Sequence, residues 1–105
     1  MKNITTADLT TPGNLPAECD FIDVREPTEC AMMRWEKARN IPLGRLAHEV
    51  PQLDRNRPVV MICAAGGRSM QAASYLESQG FTQVFNLAGG MGQASRDGLP
   101  TISGR

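Results

Sequence analysis

The chain predicts an α/β fold built on a mostly parallel sheet with helices on both faces, and three observations carry that expectation. Residues 58–62, Pro-Val-Val-Met-Ile, are apolar without a break, as in a strand covered on both sides. Segments of strand character alternate with segments of helical period, the βαβ order that gives parallel sheets between helical layers. The apolar run ends on Cys63 and leads through Ala64, Ala65, Gly66 and Gly67 to Arg68, Ser69 and a helix. Ligands in such sheets bind beyond the carboxyl ends of the strands.

In chain order, Ile4 and Leu9 anchor a short edge strand and a helical turn starting near Thr6-Ala7-Asp8. Thr11-Pro12-Gly13 marks a turn. Phe21, Ile22 and Val24 read as a second buried strand, with Asp23 inside it and Arg25 directly after. A buried Asp23 demands a hydrogen-bonded or charged partner. Glu26-Pro27-Thr28-Glu29 starts a short helix from Thr28 to Met33, since proline and acids suit a first turn. Asn40-Ile41-Pro42-Leu43 is extended, because Pro42 restricts the residue before it. Leu43, Leu46, Ala47, Val50 and Leu53 fall on one helical face, which Pro51 interrupts near Glu49.

After the loop, a helix from Ser69 to Gly80 presents Met70, Ala73, Tyr75 and Leu76 to the core. Gly80 ends it and Phe81 packs back on its last turn. Gln83-Val84-Phe85-Asn86-Leu87 alternates, as a strand with one wetter face would. Ala88-Gly89-Gly90-Met91-Gly92 is a close-packed turn, followed by a final helix and a stop at Gly98-Leu99-Pro100.

At 105 residues the simplest organisation is one domain, 1–105. Lys+Arg and Asp+Glu both number 11, so no net field recruits nucleic acid or a membrane. Aromatics at 5% argue against a base-stacking platform. No apolar run is long enough to span a bilayer, and no signal-peptide pattern opens the chain, so a cytoplasmic location is expected. Cys19, Cys30 and Cys63 make an odd count without C-x-x-C spacing, which argues against a disulfide framework. His48 is the only histidine and has no cysteine near it, so no metal site is expected.

Cys63 is the candidate nucleophile. Loop amides and a helix N-terminus lower a thiol pKa, and the thiolate is the reactive form. The single histidine leaves loop dipoles and Arg68 to activate it. The small residues of the loop predict that nothing covers the sulfur. Gly66 and Gly67 are read as turn residues whose amides converge on an anion. A cation in a first helical turn opposes the dipole, so Arg68 requires an anionic ligand or a carboxylate partner. Asp23 and Arg25 are read as structural, either an ion pair on the rim that Cys63 shares or loop-pinning hydrogen bonds. Cys19 and Cys30 are expected to be inert, Trp35 to pack in the core, and His48 to lie on a helix surface.

Four stretches, 21–29 (Phe-Ile-Asp-Val-Arg-Glu-Pro-Thr-Glu), 40–43 (Asn-Ile-Pro-Leu), 63–69 (Cys-Ala-Ala-Gly-Gly-Arg-Ser) and 87–91 (Leu-Ala-Gly-Gly-Met), resemble in order and spacing a single-domain rhodanese of the thiosulfate sulfurtransferase type. The resemblance implies a three-layer α/β sandwich and a sulfurtransferase. A Cys63 persulfide would carry sulfane sulfur from thiosulfate or a persulfide donor to cyanide, a small thiol or a protein thiol. It implies substrate binding by Ala64, Ala65, Gly66, Gly67 and Arg68, support from Asp23, Arg25 and Ser69, and no cofactor. The loop from Cys63 to Arg68 is one residue shorter than in related phosphatases and arsenate reductases, which favours sulfur over phosphate or arsenate. The chain departs from the family pattern at Ala64, where a polar residue is common, and at Met33-Arg34-Trp35-Glu36-Lys37-Ala38, which replaces Gly-His-Ile-x-Gly-Ala. The tryptophan usual after the Gly-Gly turn is also absent. The alternative is a non-catalytic rhodanese-like binding module in which Cys63 is idle.

Overall fold

A computed structural model describes residues 1–104. Five strands form one parallel sheet: β1 (Lys2–Ile4), β2 (Asp20–Asp23), β3 (Arg39–Asn40), β4 (Val59–Ile62) and β5 (Val84–Leu87), in the order β1-β5-β4-β2-β3. The helices are α1 (Thr6–Thr10), α2 (Pro27–Met32), α3 (Leu43–Glu49), α4 (Gly67–Ser78) and α5 (Gly90–Arg96). A 3-10 turn, Val50–Gln52, follows α3 where Pro51 prevents continuation.

Strand β4 is central and fully buried, so its residues need no polar face. Alternation divides it between two cores. Val59, Met61 and Cys63 join Leu46 and Val50 beside α3 and Ala72, Ala73 and Leu76 of α4. Val60 and Ile62 join Trp35, Leu87, Met91 and Ala94 on the opposite face. The expected helices on both faces are therefore present, and Trp35 is a core residue set edge-on to Phe21 at 4.8 Å. His48 is exposed.

Several expectations shift. Helix α4 begins at Gly67, two residues early, and its inward positions are Ser69, Ala72, Ala73 and Leu76. Met70 is 44% exposed instead of buried. The inward row follows the i, i+3, i+4, i+7 spacing from a serine, which can be buried because its hydroxyl is hydrogen-bonded. Helix α2 starts at Pro27, with the Glu26 N–H donating to Glu29 Oε1 at 2.9 Å. The extended piece pairs at Arg39–Asn40, one residue ahead of the expected segment, and Ile41 N–H and Leu43 N–H continue along β2 to the carbonyls of Asp23 and Val24. Ala47 is exposed.

Strand β5 has no wet face: Asn86 is 1% exposed, its side chain held against Ser69 of α4 and Asn3 of β1. At the end of α4, Phe81 N–H reaches the Leu76 carbonyl and Gly80 N–H that of Glu77, with Gly80 at φ +95°. This is the Schellman closure expected of a glycine there. Beyond the anticipated stop, Ile102 forms an antiparallel bridge with Arg34.

Candidate active site

Register places the site. Asp23 pairs with Ile62, and Val24 N–H donates to the Ile62 carbonyl at 2.8 Å, so the ends of β2 and β4 are level. Cys63 and the Asp23–Arg25 stretch therefore share one carboxyl rim. The turn after β5 closes a third side: Met91 N–H donates to the Cys63 carbonyl at 2.7 Å and Gly92 N–H to that of Ala64 at 2.9 Å. Gly90 makes this approach possible, since a Cβ there would lie 2.4 Å from the Cys63 carbonyl oxygen.

Cys63 is 1% exposed, which corrects the expectation of an uncovered sulfur. Small side chains remove bulk, but they also let the loop close down. Gly66, at φ +104°, turns its N–H onto Cys63 Sγ at 3.0 Å, and Ser69 Oγ approaches the same sulfur at 3.2 Å. Burial pushes the Cys63 thiol up. The Ser69 hydroxyl and the backbone N–H groups of Ser69, Gly66 and Ala65 outweigh that effect and hold it below the ordinary value. Gly67 has no unusual φ and open space around its Cα, so it serves as the first residue of α4 and not as a turn residue. Ala64 is half-buried and Ala65 exposed.

The acid–base pair beneath the rim is buried, with side-chain exposures of 2% for Asp23 and 5% for Arg25. Arg25 Nε and NH2 donate to the two carboxylate oxygens at 3.0 and 2.8 Å, and Arg25 N–H reaches Asp23 Oδ1 at 3.0 Å. Arg25 NH2 also ties down the Met33 carbonyl at 2.8 Å. Burial lowers the Arg25 pKa, but the Asp23 carboxylate more than offsets it.

Arg68 has the carboxylate that its position demands. Its NH1 and NH2 donate to Glu29 Oε1 and Oε2 at 2.7 and 2.8 Å. The guanidinium draws the Glu29 carboxyl down to about 2, and the carboxylate in turn raises Arg68.

Two residues of this network escape a reading of the sequence. Glu29 reads there only as a helix-start acid. Asn86 reads as a wet-face residue, yet it contacts Ser69 Oγ through Oδ1 and donates from Nδ2 to Asn3 Oδ1 at 3.0 Å. Its only signal is that it is a lone polar residue in an otherwise apolar strand.

Of the other cysteines, Cys30 is buried near Asp23. Burial first, then the carboxylate, pushes its thiol up to about 11. Burial also raises Cys19. A cavity of about 780 Å³ lies on the other side of the sheet, lined by Leu9, Phe21, Cys19 and Trp35, and holds none of the loop residues.

The chain is similar to known proteins over most of its length. The rhodanese-like domain family matches residues 10–96. A sulfurtransferase of Allochromatium vinosum is 35% identical over 83 residues, covering 79% of this chain and 78% of the relative. The thiosulfate sulfurtransferase GlpE of Shewanella oneidensis is 38% identical over 70 residues, covering 67% and 69%. The crystal structure of a rhodanese-related protein from Thermoplasma volcanium superposes with a TM-score of 0.86 at 28% identity, covering 97% and 98%. With a cysteine loop closing the central strand of a parallel sheet, and with sulfurtransferases among its relatives, the chain belongs to the rhodanese-like family.

Proposed function

We propose that this domain transfers sulfane sulfur through a persulfide on Cys63. The observation that carries this reading is the set of donors, the Gly66 N–H and the Ser69 hydroxyl, gathered on one sulfur at the end of β4. A buried structural cysteine gathers no such set and is pushed up, as Cys30 is. The relatives named sulfurtransferase support the same chemistry.

In the first half-reaction the Cys63 thiolate attacks the outer sulfur of the donor. With thiosulfate, the S–S bond breaks with its electron pair on the departing sulfite, leaving Cys63–S–S⁻. With a persulfide R–S–SH, the leaving group is RS⁻. In the second half-reaction, cyanide or a thiol attacks the terminal sulfur, carries it off and restores the thiolate. Loop amides already aimed at the sulfur stabilise negative charge with little reorganisation. Ala64, Ala65 and Gly67 add small residues that keep the loop backbone close to substrate. Asp23 and Arg25 hold the rim, and Ser69 holds the sulfur. The donor and acceptor are small molecules or a protein thiol, and the proposed setting is the cytoplasm.

Incubation with thiosulfate or ethyl persulfide is expected to add the mass of one sulfur to Cys63, removable by cyanide as thiocyanate. Cys63→Ser takes up none. Wild-type protein that gains no sulfur from either donor would overturn the reading. The near-complete burial of Cys63 favours a second reading, a rhodanese-like binding module with an idle cysteine. A Cys63 alkylation profile centred at or above the free-thiol value of about 8.5 would support that module.

A further inference from the structure

The only cation of the Cys63 loop is already paired. Arg68 and Glu29 meet in a two-pronged contact, one guanidinium nitrogen to each carboxylate oxygen, at 2.7 and 2.8 Å. Their side chains keep 38% and 34% of their surface exposed, so the pair lies at the protein surface beside the loop and not in the core. The Cys63 thiolate acts electrostatically on Arg68, so whatever field Arg68 projects reaches the sulfur.

Glu29 is held in place independently, because its Oε1 also accepts the Glu26 N–H at the start of α2. The remaining loop residues, Ala64 to Gly67, carry no charge. A dianion entering the loop therefore meets a cation whose charge is cancelled, beside a nucleophile that is itself negative.

Resting on the sulfur-transfer reading, we propose that Glu29 is a specificity-determining residue: by holding Arg68 it selects sulfur donors that carry one negative charge or none, alkyl persulfides, over dianionic thiosulfate. The favoured step is balanced without a further reactant. Cys63–S⁻ attacks the terminal sulfur of R–S–SH, a new S–S bond forms, and the old one breaks with its electron pair on RS⁻. Cys63–S–SH remains, and there is no net oxidation. The loop amides suffice for this leaving group, which carries a single charge.

Glu29→Gln tests the assignment, since the amide oxygen keeps an acceptor for the Glu26 N–H while the negative charge is lost. The ratio of kcat/KM for thiosulfate to that for ethyl persulfide is expected to rise about tenfold, mainly through a lower KM for thiosulfate. Adding Arg68→Gln should remove the gain. A ratio that is unchanged or falls would overturn the proposal.

A readout without turnover keeps the test separate from sulfur transfer. Inorganic sulfate, a dianion, should protect Cys63 from iodoacetamide at about tenfold lower concentration in Glu29→Gln than in wild type, and equal concentrations would overturn the proposal. Failure of both donors to load the wild-type protein would instead count against the persulfide reading itself.

Discussion

Ser69 shows how one side chain sets the state of another. Its hydroxyl has a single proton and three neighbours able to accept it: Cys63 Sγ, the Gly66 carbonyl and Asn86 Oδ1. Asn86 is fixed in turn by its Nδ2, which donates to Asn3 Oδ1 at 3.0 Å, so its Oδ1 and the Cys63 sulfur compete for the one serine proton.

Hydrogen bonds to charged groups are worth about 1.5–3 kcal/mol, and one pH unit corresponds to about 1.4 kcal/mol. Ser69→Ala is therefore expected to raise the Cys63 pKa by about one pH unit, read from the pH dependence of iodoacetamide alkylation. In the wild-type protein that profile should be centred below the free-thiol value of about 8.5, because the native state favours the thiolate. Cys30, pushed up to about 11, stays protonated at pH 8, and peptide mapping should find Cys63 alkylated long before it.

Among the elements, the two turns that meet at the site place opposite demands on their glycines. Gly90 sits at φ +58° with the Cys63 and Ala64 backbone against its Cα, so a side chain has neither the conformation nor the room. Backbone strain alone costs about 1–3 kcal/mol, and the clash with backbone atoms adds to it. Gly90→Ala should therefore lower the urea midpoint markedly and also slow Cys63 alkylation, because the loop must shift. Gly67 is helical, and a methyl group on its Cα would meet nothing within 4 Å. Gly67→Ala should leave stability unchanged or raise it by up to about 1 kcal/mol in the same measurement. Adjacent glycines in one loop thus separate into one whose left-handed turn aims an amide at sulfur, Gly66, and one that any small residue could replace.

For the molecule as a whole, the buried Asp23–Arg25 pair joins the rim of the sheet to the segment after α2 through the Met33 carbonyl. Removing one partner leaves a charge without compensation in the interior, at about 3–5 kcal/mol. Arg25→Met should cost that much in a urea titration, a large fraction of the stability of a domain this size. Because the pair is shielded from solvent, added salt should change that loss little, in contrast to the half-exposed Arg68–Glu29 pair. That surface pair also has a definite pH window. Glu29, lowered to about 2, adds stability above its unfolded value near 4.3, and the contribution fades as pH falls towards 2. The amount is small, since water screens both groups.

What neighbouring residues decide is legible in the chain alone. An unbroken apolar run makes β4 a central strand, Pro51 halts α3, Gly80 closes α4, and a cysteine at a strand end before small residues marks the nucleophile's place. Even the shared rim of Cys63 and Asp23 follows from strand order. Folding decides the partners, which lie far apart in the chain. Glu29 stands 39 residues from Arg68, and Asn86 stands 17 from Ser69. A polar residue alone reads as solvent-facing, because its burial is favourable only when a distant group supplies the hydrogen bond. For that reason the sequence puts Asn86 on a wet face, leaves Ser69 off the inward row of α4 in favour of Met70, and makes the loop look open. In the folded chain the β5–α5 turn and the head of α4 come together over Cys63. The same folding pairs the loop's only cation before any donor arrives.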